Sequence, residues 1–290
     1  MDLQQLRYLA ALADERHFGR AAARCHVSQP ALSTAIRRLE EEVGLRLVDR
    51  GQRFEGLTED GTQLLGWAKA TLAAADALSA EAAALRGDLA GTLRIQAIPT
   101  VATSVGRLLV PFIEAHPGVT VDLSTNRADA ILAAVASREI DAGLVYVDDP
   151  LPPGLRAQPL YRDELILLTS DPAVRAGGAP ISWLAVAELP LCLLTAGMQN
   201  RQLIDRAFAA VGAQVHPRIE ADSVAALVDL GLAGSSCIVA RAWIRDRVLP
   251  EGVRVRSLAE PVVAPTVGLV TTAGSLTTPR ARALLASLAG

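Results

Sequence analysis

The chain of 290 residues has little aromatic surface (3%), three cysteines, four histidines and a single lysine, Lys69. Cys25, Cys192 and Cys237 are odd in number and widely spaced, so they supply neither a disulfide framework nor a C-x-x-C metal pair. The histidines at positions 17, 26, 116 and 216 are scattered rather than grouped as ligands. Neither a Gly-rich phosphate loop nor a Gly-x-Ser-x-Gly elbow appears. Together these absences set aside an enzyme and a metal centre, and no cofactor is expected. No run reaches the roughly 18 uninterrupted apolar residues of a membrane span. The stretch from Met1 to Leu12 lacks the basic-then-apolar pattern of a secretory signal. The expected location is therefore the cytoplasm, with reduced thiols and no membrane partner. A formal net charge of −3 gives no bulk attraction to nucleic acid, so any such contact must come from a local arrangement of residues.

What is present is a chain 51% hydrophobic, rich in Ala, Leu and Val, and long enough for two or three compact units. Residues 1–57 read as short helices with tight breaks. Leu3, Leu6, Leu9, Ala10 and Ala13 recur at helical spacing, as do Phe18, Ala21, Ala22 and Cys25. After the break at His26-Val27, Ser28 is placed to N-cap a helix with Gln29 at its first position. Pro30 falls in the first turn, where a missing N–H costs nothing. Ala31, Leu32, Ala35, Ile36 and Leu39 give that helix an apolar stripe, and Gly44 stops it. Two short helices and a tight turn describe a helix-turn-helix, whose second helix can lie in the major groove of double-stranded DNA. Gln29, Pro30, Ser33 and Thr34 occupy its N-terminal outer face with Ser28, and Arg37 lies one turn on. Gln can bond adenine bidentately, while Ser, Thr and Arg suit bases or phosphates. Arg50 and Arg53 sit at a predicted hairpin tip that would reach the flanking backbone as a wing.

The combination of Ala21-Ala22, Ser28-Gln29-Pro30-Ala31-Leu32-Ser33, Arg37-Arg38-Leu39-Glu40 and Gly44-Leu45-Arg46-Leu47 resembles the winged helix-turn-helix of LysR-type transcriptional regulators. Thr58, Gly61 and Leu64 carry the resemblance onward; it is densest over residues 1–66 and architectural beyond. The chain departs from the family pattern at Thr34-Ala35, where relatives carry a longer polar or basic pair, so base preference does not transfer. It departs again at Val48, where an aromatic is usual, and at Cys25, which replaces a Leu and reads as a core residue.

Residues 58–90 are expected to form a linker helix. Leu64, Ala68, Leu72, Ala75, Leu78, Ala82 and Leu85 step by threes and fours, the seam of a dimerisation coiled coil, although an ordinary surface helix is the plainer reading. Leu89-Ala90-Gly91 serves as a hinge. From Gly91 strands and helices alternate, which implies parallel sheets flanked by helices. The resemblance implies an architecture of an all-α winged helix-turn-helix (1–57), a linker helix (58–90) and an α/β effector domain (91–290) like two-lobed periplasmic binding proteins. Lobe I covers about 91–163 and 265–290, and lobe II about 164–264. It also implies a homodimer assembling to a homotetramer on double-stranded DNA, with RNA polymerase as a further partner within reach.

Ligands of such a domain sit between the lobes, held by hydroxyls and helix N-termini. Candidates in lobe I are Pro99, Thr100, Val101, Thr103, Thr125 and Asn126. Candidates in lobe II are Thr195, Met198, Gln199, Asn200, Arg201 and Ser223. Each has a plainer role: Thr103, Ser104 and Ser223 as helix caps, Arg201 as an i,i+4 partner of Asp205. Many hydroxyls and amides with few aromatics favour a small polar effector such as a short carboxylate or other anion. Two rivals remain. A solute-binding protein fits poorly with an N-terminal helix-turn-helix. A thiol redox sensor of the same family would need two exposed, adjacent thiols, whereas Cys192 and Cys237 fall in apolar strands.

Overall fold

Asp2 opens α1 (Leu3–Glu15) with a reciprocal capping box: its carboxylate accepts from Gln5 N, and Gln5 Oε1 accepts from Asp2 N, both at 2.8 Å. His17 caps α2 (Phe18–Arg24) and Ser28 caps α3 (Gln29–Val43), which ends at Gly44 with φ +72°. Leu6, Leu9 and Leu12 of α1 meet Ala21 and Ala22 of α2 and Leu32, Ile36 and Leu39 of α3 in one small core. Glu40 then turns back: its Oε1 accepts from the N–H of Leu47 (2.9 Å) and Val48 (3.1 Å). That fixes the entry of the hairpin β1 (Val48–Arg50) and β2 (Phe54–Leu57).

The computed structural model describes residues 1–50, 54–86, 89–102, 104–175, 178–274 and 277–288. Arg53 and Thr103, two of the expected site residues, lie outside them, and so does the side chain of Arg50. Among the described residues no helix is long and apolar enough to cross a membrane.

The linker helix α4 (Glu59–Ala84) starts at Thr58, whose Oγ1 accepts from Gly61 N at 2.9 Å and donates to Arg46 O at 2.6 Å. The expected seam divides in two. Leu64, Ala68 and Leu72 pack on the core of α1–α3, whereas Leu78 and Leu85 are 73% and 82% exposed. The first half of the stripe therefore serves its own domain, and only the second half is free for another chain. Lys69, nearly three turns into α4, ties the domains together: its Nζ lies 2.6 Å from Glu139 Oε1 and 3.7 Å from Asp14 Oδ1. Burial works against its charge, but the two carboxylates outweigh that and raise its pKa.

Lobe I contains β3 (Gly91–Ala97), α5 (Val105–Ala115), β4 (Val119–Thr125), α6 (Ala128–Ala136), β5 (Ala142–Tyr146) and β6 (Leu155–Arg162). Lobe II contains β7 (Leu165–Thr169), α7 (Pro172–Arg175), α8 (Trp183–Ala187), β8 (Leu191–Leu194), α9 (Gln199–Ala210), β9 (Ile219–Ala221), α10 (Val224–Leu232), β10 (Ser236–Ala240) and β11 (Arg254–Ser257). The chain returns to lobe I with β12 (Thr266–Thr272) and α11 (Pro279–Ser287). The sheet orders are β4-β3-β5-β12-β6 and β11-β7-β10-β8-β9.

Neither sheet is wholly parallel, which corrects the expectation. β12 runs antiparallel to β5 and β6, and β7 antiparallel to β10 and β11, because the segments crossing between lobes return against the strand direction. The helices of each lobe bury against the continuous apolar strands β5, β7, β8 and β10, so the C-terminal ends of β3, β4 and β8 are left to open toward the gap between lobes.

Candidate functional site

The N-terminal face of α3 carries Ser28, Gln29, Pro30, Thr34 and Arg37 exposed to solvent, with Ser33 half-buried beside them. Their opposite face, Leu32, Ile36 and Leu39, is sealed in the core, so the helix cannot rotate without exposing three apolar side chains. Ser28 Oγ accepts from Ala31 N at 3.3 Å, which leaves its hydroxyl hydrogen free to donate outward. The result is a rigid, polar helix tip without a carboxylate, the shape a major groove admits.

The second place where predicted residues converge is a cavity of about 180 Å³ between the lobes. Pro99 and Thr100 come from the 3₁₀ turn after β3, Thr125 and Asn126 from the end of β4, and Met198, Gln199 and Asn200 from the start of α9. Gln199 bridges the lobes by accepting from Tyr146 N (3.2 Å) and donating to Tyr146 O (3.0 Å). Trp243 of lobe II adds a second bridge, its indole N–H donating to Thr100 O at 2.6 Å.

Two features give this gap its chemistry. Away from it, Ser182 caps α8, Ser223 caps α10 and Thr278 caps α11 with their side chains, while α5 has no side-chain cap bond. Helices α6 and α9, which begin at the gap, have Arg127 and Met198 at their N-caps and no side-chain cap bond. The first N–H groups of α9 are thus open to an anion, whereas at α6 the Asp129 carboxylate already accepts from Ala130 N and pairs with Arg127 Nε at 3.4 Å. Beside them Thr100 Oγ1, Tyr146 Oη and both amide atoms of Asn200 are buried without a hydrogen-bond partner in the protein. Burial pushes the Tyr146 phenol up to about 12, with Thr100 and Asn200 close enough to pull it partly back though not aligned for a hydrogen bond. It therefore stays a neutral donor at physiological pH.

Arg127 and Tyr146 were not among the sequence candidates. Arg127 follows Thr125-Asn126 directly, and a Cβ on Gly197 would lie 2.5 Å from its Nη1, so its guanidinium extends from lobe I across the backbone of lobe II. Its signal was its place between a strand end and a helix start. Tyr146 ends an apolar strand and gave none.

Four candidates do not line this cavity. Arg201 is 7% exposed and spends its guanidinium on Asp205 Oδ1 (2.8 Å), Leu194 O (2.7 Å) and Glu220 Oε1 (2.6 Å), binding α9 to the strands behind it. Ser223 caps α10 by accepting from Ala226 N at 3.3 Å. Thr195 continues the β8–β9 ladder through its N–H to Ala221 O, away from the cavity. Val101 turns into the apolar core of lobe I.

The thiols do not form an exposed pair. Cys192 and Cys237 are register partners on adjacent strands, but both are buried, 2% and 0% exposed. Burial, reinforced by Cys192, pushes the Cys237 thiol far above its usual range, the reverse of what a reactive cysteine needs. Cys25 is also raised by burial, against a smaller opposing pull from Arg24.

Comparisons with known proteins agree with this arrangement. Residues 3–62 match the bacterial regulatory helix-turn-helix proteins of the lysR family, and residues 86–290 match the LysR substrate binding domain. The HTH-type transcriptional regulator IlvR of Caulobacter vibrioides is 34% identical over 275 residues, spanning 93% of this chain and 92% of its own. The DNA-binding transcriptional dual regulator OxyR of Escherichia coli is 30% identical over 281 residues, 95% of this chain and 90% of its own. A full-length OxyR variant from Pseudomonas aeruginosa superposes with a TM-score of 0.78 at 26% identity, over 99% of this chain and 94% of that one. With a sealed helix-turn-helix at one end and a two-lobed substrate-binding domain at the other, this chain belongs to the LysR family of DNA-binding transcriptional regulators.

Proposed function

We propose that this regulator reads double-stranded DNA through Ser28, Gln29, Pro30, Ser33, Thr34 and Arg37, and that its signal is a small polar anion bound between the lobes. The observation that carries the second half is the meeting of the uncapped N-terminus of α9 with buried, partnerless donors on Thr100, Tyr146 and Asn200. A carboxylate set there would accept from α9, Thr100 and Tyr146 while the Asn200 amide, able to donate and accept, met a neighbouring hydroxyl or keto group. Arg127 would close over it. A cavity of about 180 Å³ suits a small molecule.

Ligand closure would change the angle between lobes, whose contacts at Gln199–Tyr146 and Trp243–Thr100 lie at the rim of the same cavity. Lobe I would pass that change on through Glu139 and Lys69 to α4 and to Asp14 of α1. To act, the ligand must favour one state; a twentyfold preference corresponds to about 2 kcal/mol. Two copies would associate through the second half of α4, which exposes Leu78, and the following Leu85, with Trp67 of the first half, 70% exposed, as a further apolar contact. Pairs joined by their effector lobes would give a homotetramer on two separated half-sites. The working place of such a protein is the cytoplasm, with RNA polymerase as the neighbouring machine.

Thermal-shift titration of the full chain with a panel of small carboxylates and inorganic phosphate tests the cleft. At least one anion is expected to raise Tm in the wild type and not in Thr100→Val. Response to apolar compounds only, or an equal shift in Thr100→Val, contradicts the reading.

The relatives named OxyR make peroxide sensing the second reading to weigh. Replacing Cys25, Cys192 and Cys237 together by Ala is expected to leave DNA affinity unchanged before and after peroxide treatment. A peroxide effect in the wild type that the triple variant loses would establish thiol sensing instead.

A further inference from the structure

A second cavity, of about 510 Å³, lies on the flank of lobe I and shares no lining residue with the cleft. Its floor is aliphatic: Val101 and Val105, Leu108 of α5, Leu144 of β5 and Val267 of β12. Its rim is cationic, with Arg107 from α5, Arg162 from the end of β6 and Arg245 reaching in from lobe II. Arg162 Nε donates to Ala264 O at 3.0 Å, while Arg107 and Arg245 make no hydrogen bond or close ion pair among the described residues. One buried acid, Asp163, stands behind them; its carboxylate accepts from Ala242 N at 3.1 Å. Three guanidinium groups against one carboxylate leave a surplus of positive charge.

Between floor and rim, Ser104 Oγ and Tyr161 Oη are buried with no hydrogen-bond partner in the protein, and Ser104 as a whole is only 7% exposed. Burial raises the Tyr161 phenol, opposed by Ser104 beside it, so it remains a proton donor. Two idle donors, an aliphatic floor and an unpaired cationic rim are what an amphipathic acid requires: an apolar tail leaves water against Val and Leu, and the carboxylate meets Arg and hydroxyl.

We infer that this flank cavity is a second ligand site, distinct from the cleft, for an aliphatic monocarboxylate. It stands back to back with the first. Thr100 lines the cleft and Val101 lines the flank, so one 3₁₀ turn, Pro99–Val101, is a wall of both. A tail seated against Val101 bears on the turn that presents Thr100, and occupation of the flank biases the cleft.

The test is calorimetric titration of the full-length protein with octanoate and with its neutral isostere octanamide, on wild type, Arg107→Gln/Arg245→Gln and Asn200→Leu. Both arginines are exposed, so their replacement leaves the core intact. Octanoate is expected to bind the wild type, and to bind about tenfold more weakly in the double arginine variant. Octanamide should also be about tenfold weaker than octanoate on the wild type, a comparison that needs no variant to fold. Asn200→Leu, which alters only the cleft, should leave octanoate affinity unchanged. Absence of octanoate binding up to about 10 mM overturns the proposal. So does equal affinity for octanamide, or loss of octanoate binding in Asn200→Leu, which would assign the acid to the cleft.

Discussion

Gly61→Ala is expected to unfold the DNA-binding domain or shift it out of register, and Gly66→Ala, five residues along the same helix, to stabilise it. A Cβ at position 61 would lie 2.0 Å from Leu47 O and 2.8 Å from Leu47 C, both backbone atoms. Nothing flexible can yield there. Leu47 O already accepts from Thr58 N, Leu47 N donates to Glu40 Oε1, and Thr58 Oγ1 is held between Arg46 O and Gly61 N. Displacing α4 by the width of a methyl group therefore breaks the junction that joins α3, the hairpin and the linker helix. Overpacking of this kind costs about 1–3 kcal/mol, and more where backbone must move. At position 66 an added Cβ meets nothing within 4 Å, so only helix propensity changes, a gain of about 0.5–1 kcal/mol. Urea unfolding of the two variants beside the wild type checks the opposite signs. Equal midpoints for wild type and Gly61→Ala would show that the close approach of α4 to Leu47 does not hold in solution.

Asn200→Leu is expected to abolish the ligand response without lowering Tm. Asn200 is 1% exposed, and neither its Oδ1 nor its Nδ2 has a hydrogen-bond partner in the protein. Each buried polar group left unsatisfied costs about 1–3 kcal/mol, so an apolar side chain of similar shape relieves a penalty that the ligand-free protein carries. The same substitution removes a buried cleft amide whose donor and acceptor ends are both without a partner in the protein. Stability held for function in this way is the usual signature of a binding site rather than a core position. Tm and the ligand-dependent change in DNA affinity, measured on one preparation, separate the two effects. A variant that melts lower and still responds would make Asn200 a structural residue.

The helix-turn-helix could be read almost completely from sequence because its signals are local. Ser28, Pro30 and Gly44 set the ends of α3, and the spacing of Leu32, Ile36 and Leu39 sets its buried face. The linker helix could be read in extent but not in use, since periodicity shows that Leu64 and Leu78 share a stripe without showing that α1 takes the first and leaves the second. Strand β6 has no clear strand signal in the sequence, because Pro152-Pro153-Gly154 precede it and Pro159 interrupts it. As an edge strand it tolerates the missing N–H, and the register shifts opposite Pro159.

In the cleft, strand ends and helix starts identified Thr100, Thr125, Asn126, Gln199 and Asn200 as neighbours of the gap. Sequence failed where the outcome depended on partners distant in the chain. Arg201 faces Glu220 rather than a ligand, and Tyr146 owes its buried hydroxyl to elements contributed by both lobes. Arg127 reaches the gap by lying over Gly197, a contact that its position in the chain does not specify.

The most direct test of the central claim is selection of duplexes from a random library by the full-length wild type and by Gln29→Ala, at one stated salt concentration, followed by affinity measurement on selected and random DNA. The wild type is expected to enrich a site with dyad symmetry. Gln29→Ala should lose about 1–3 kcal/mol of discrimination for that site while keeping its affinity for random DNA. An unchanged ratio of specific to random binding in Gln29→Ala, or no enrichment by the wild type, would contradict sequence reading by the tip of α3.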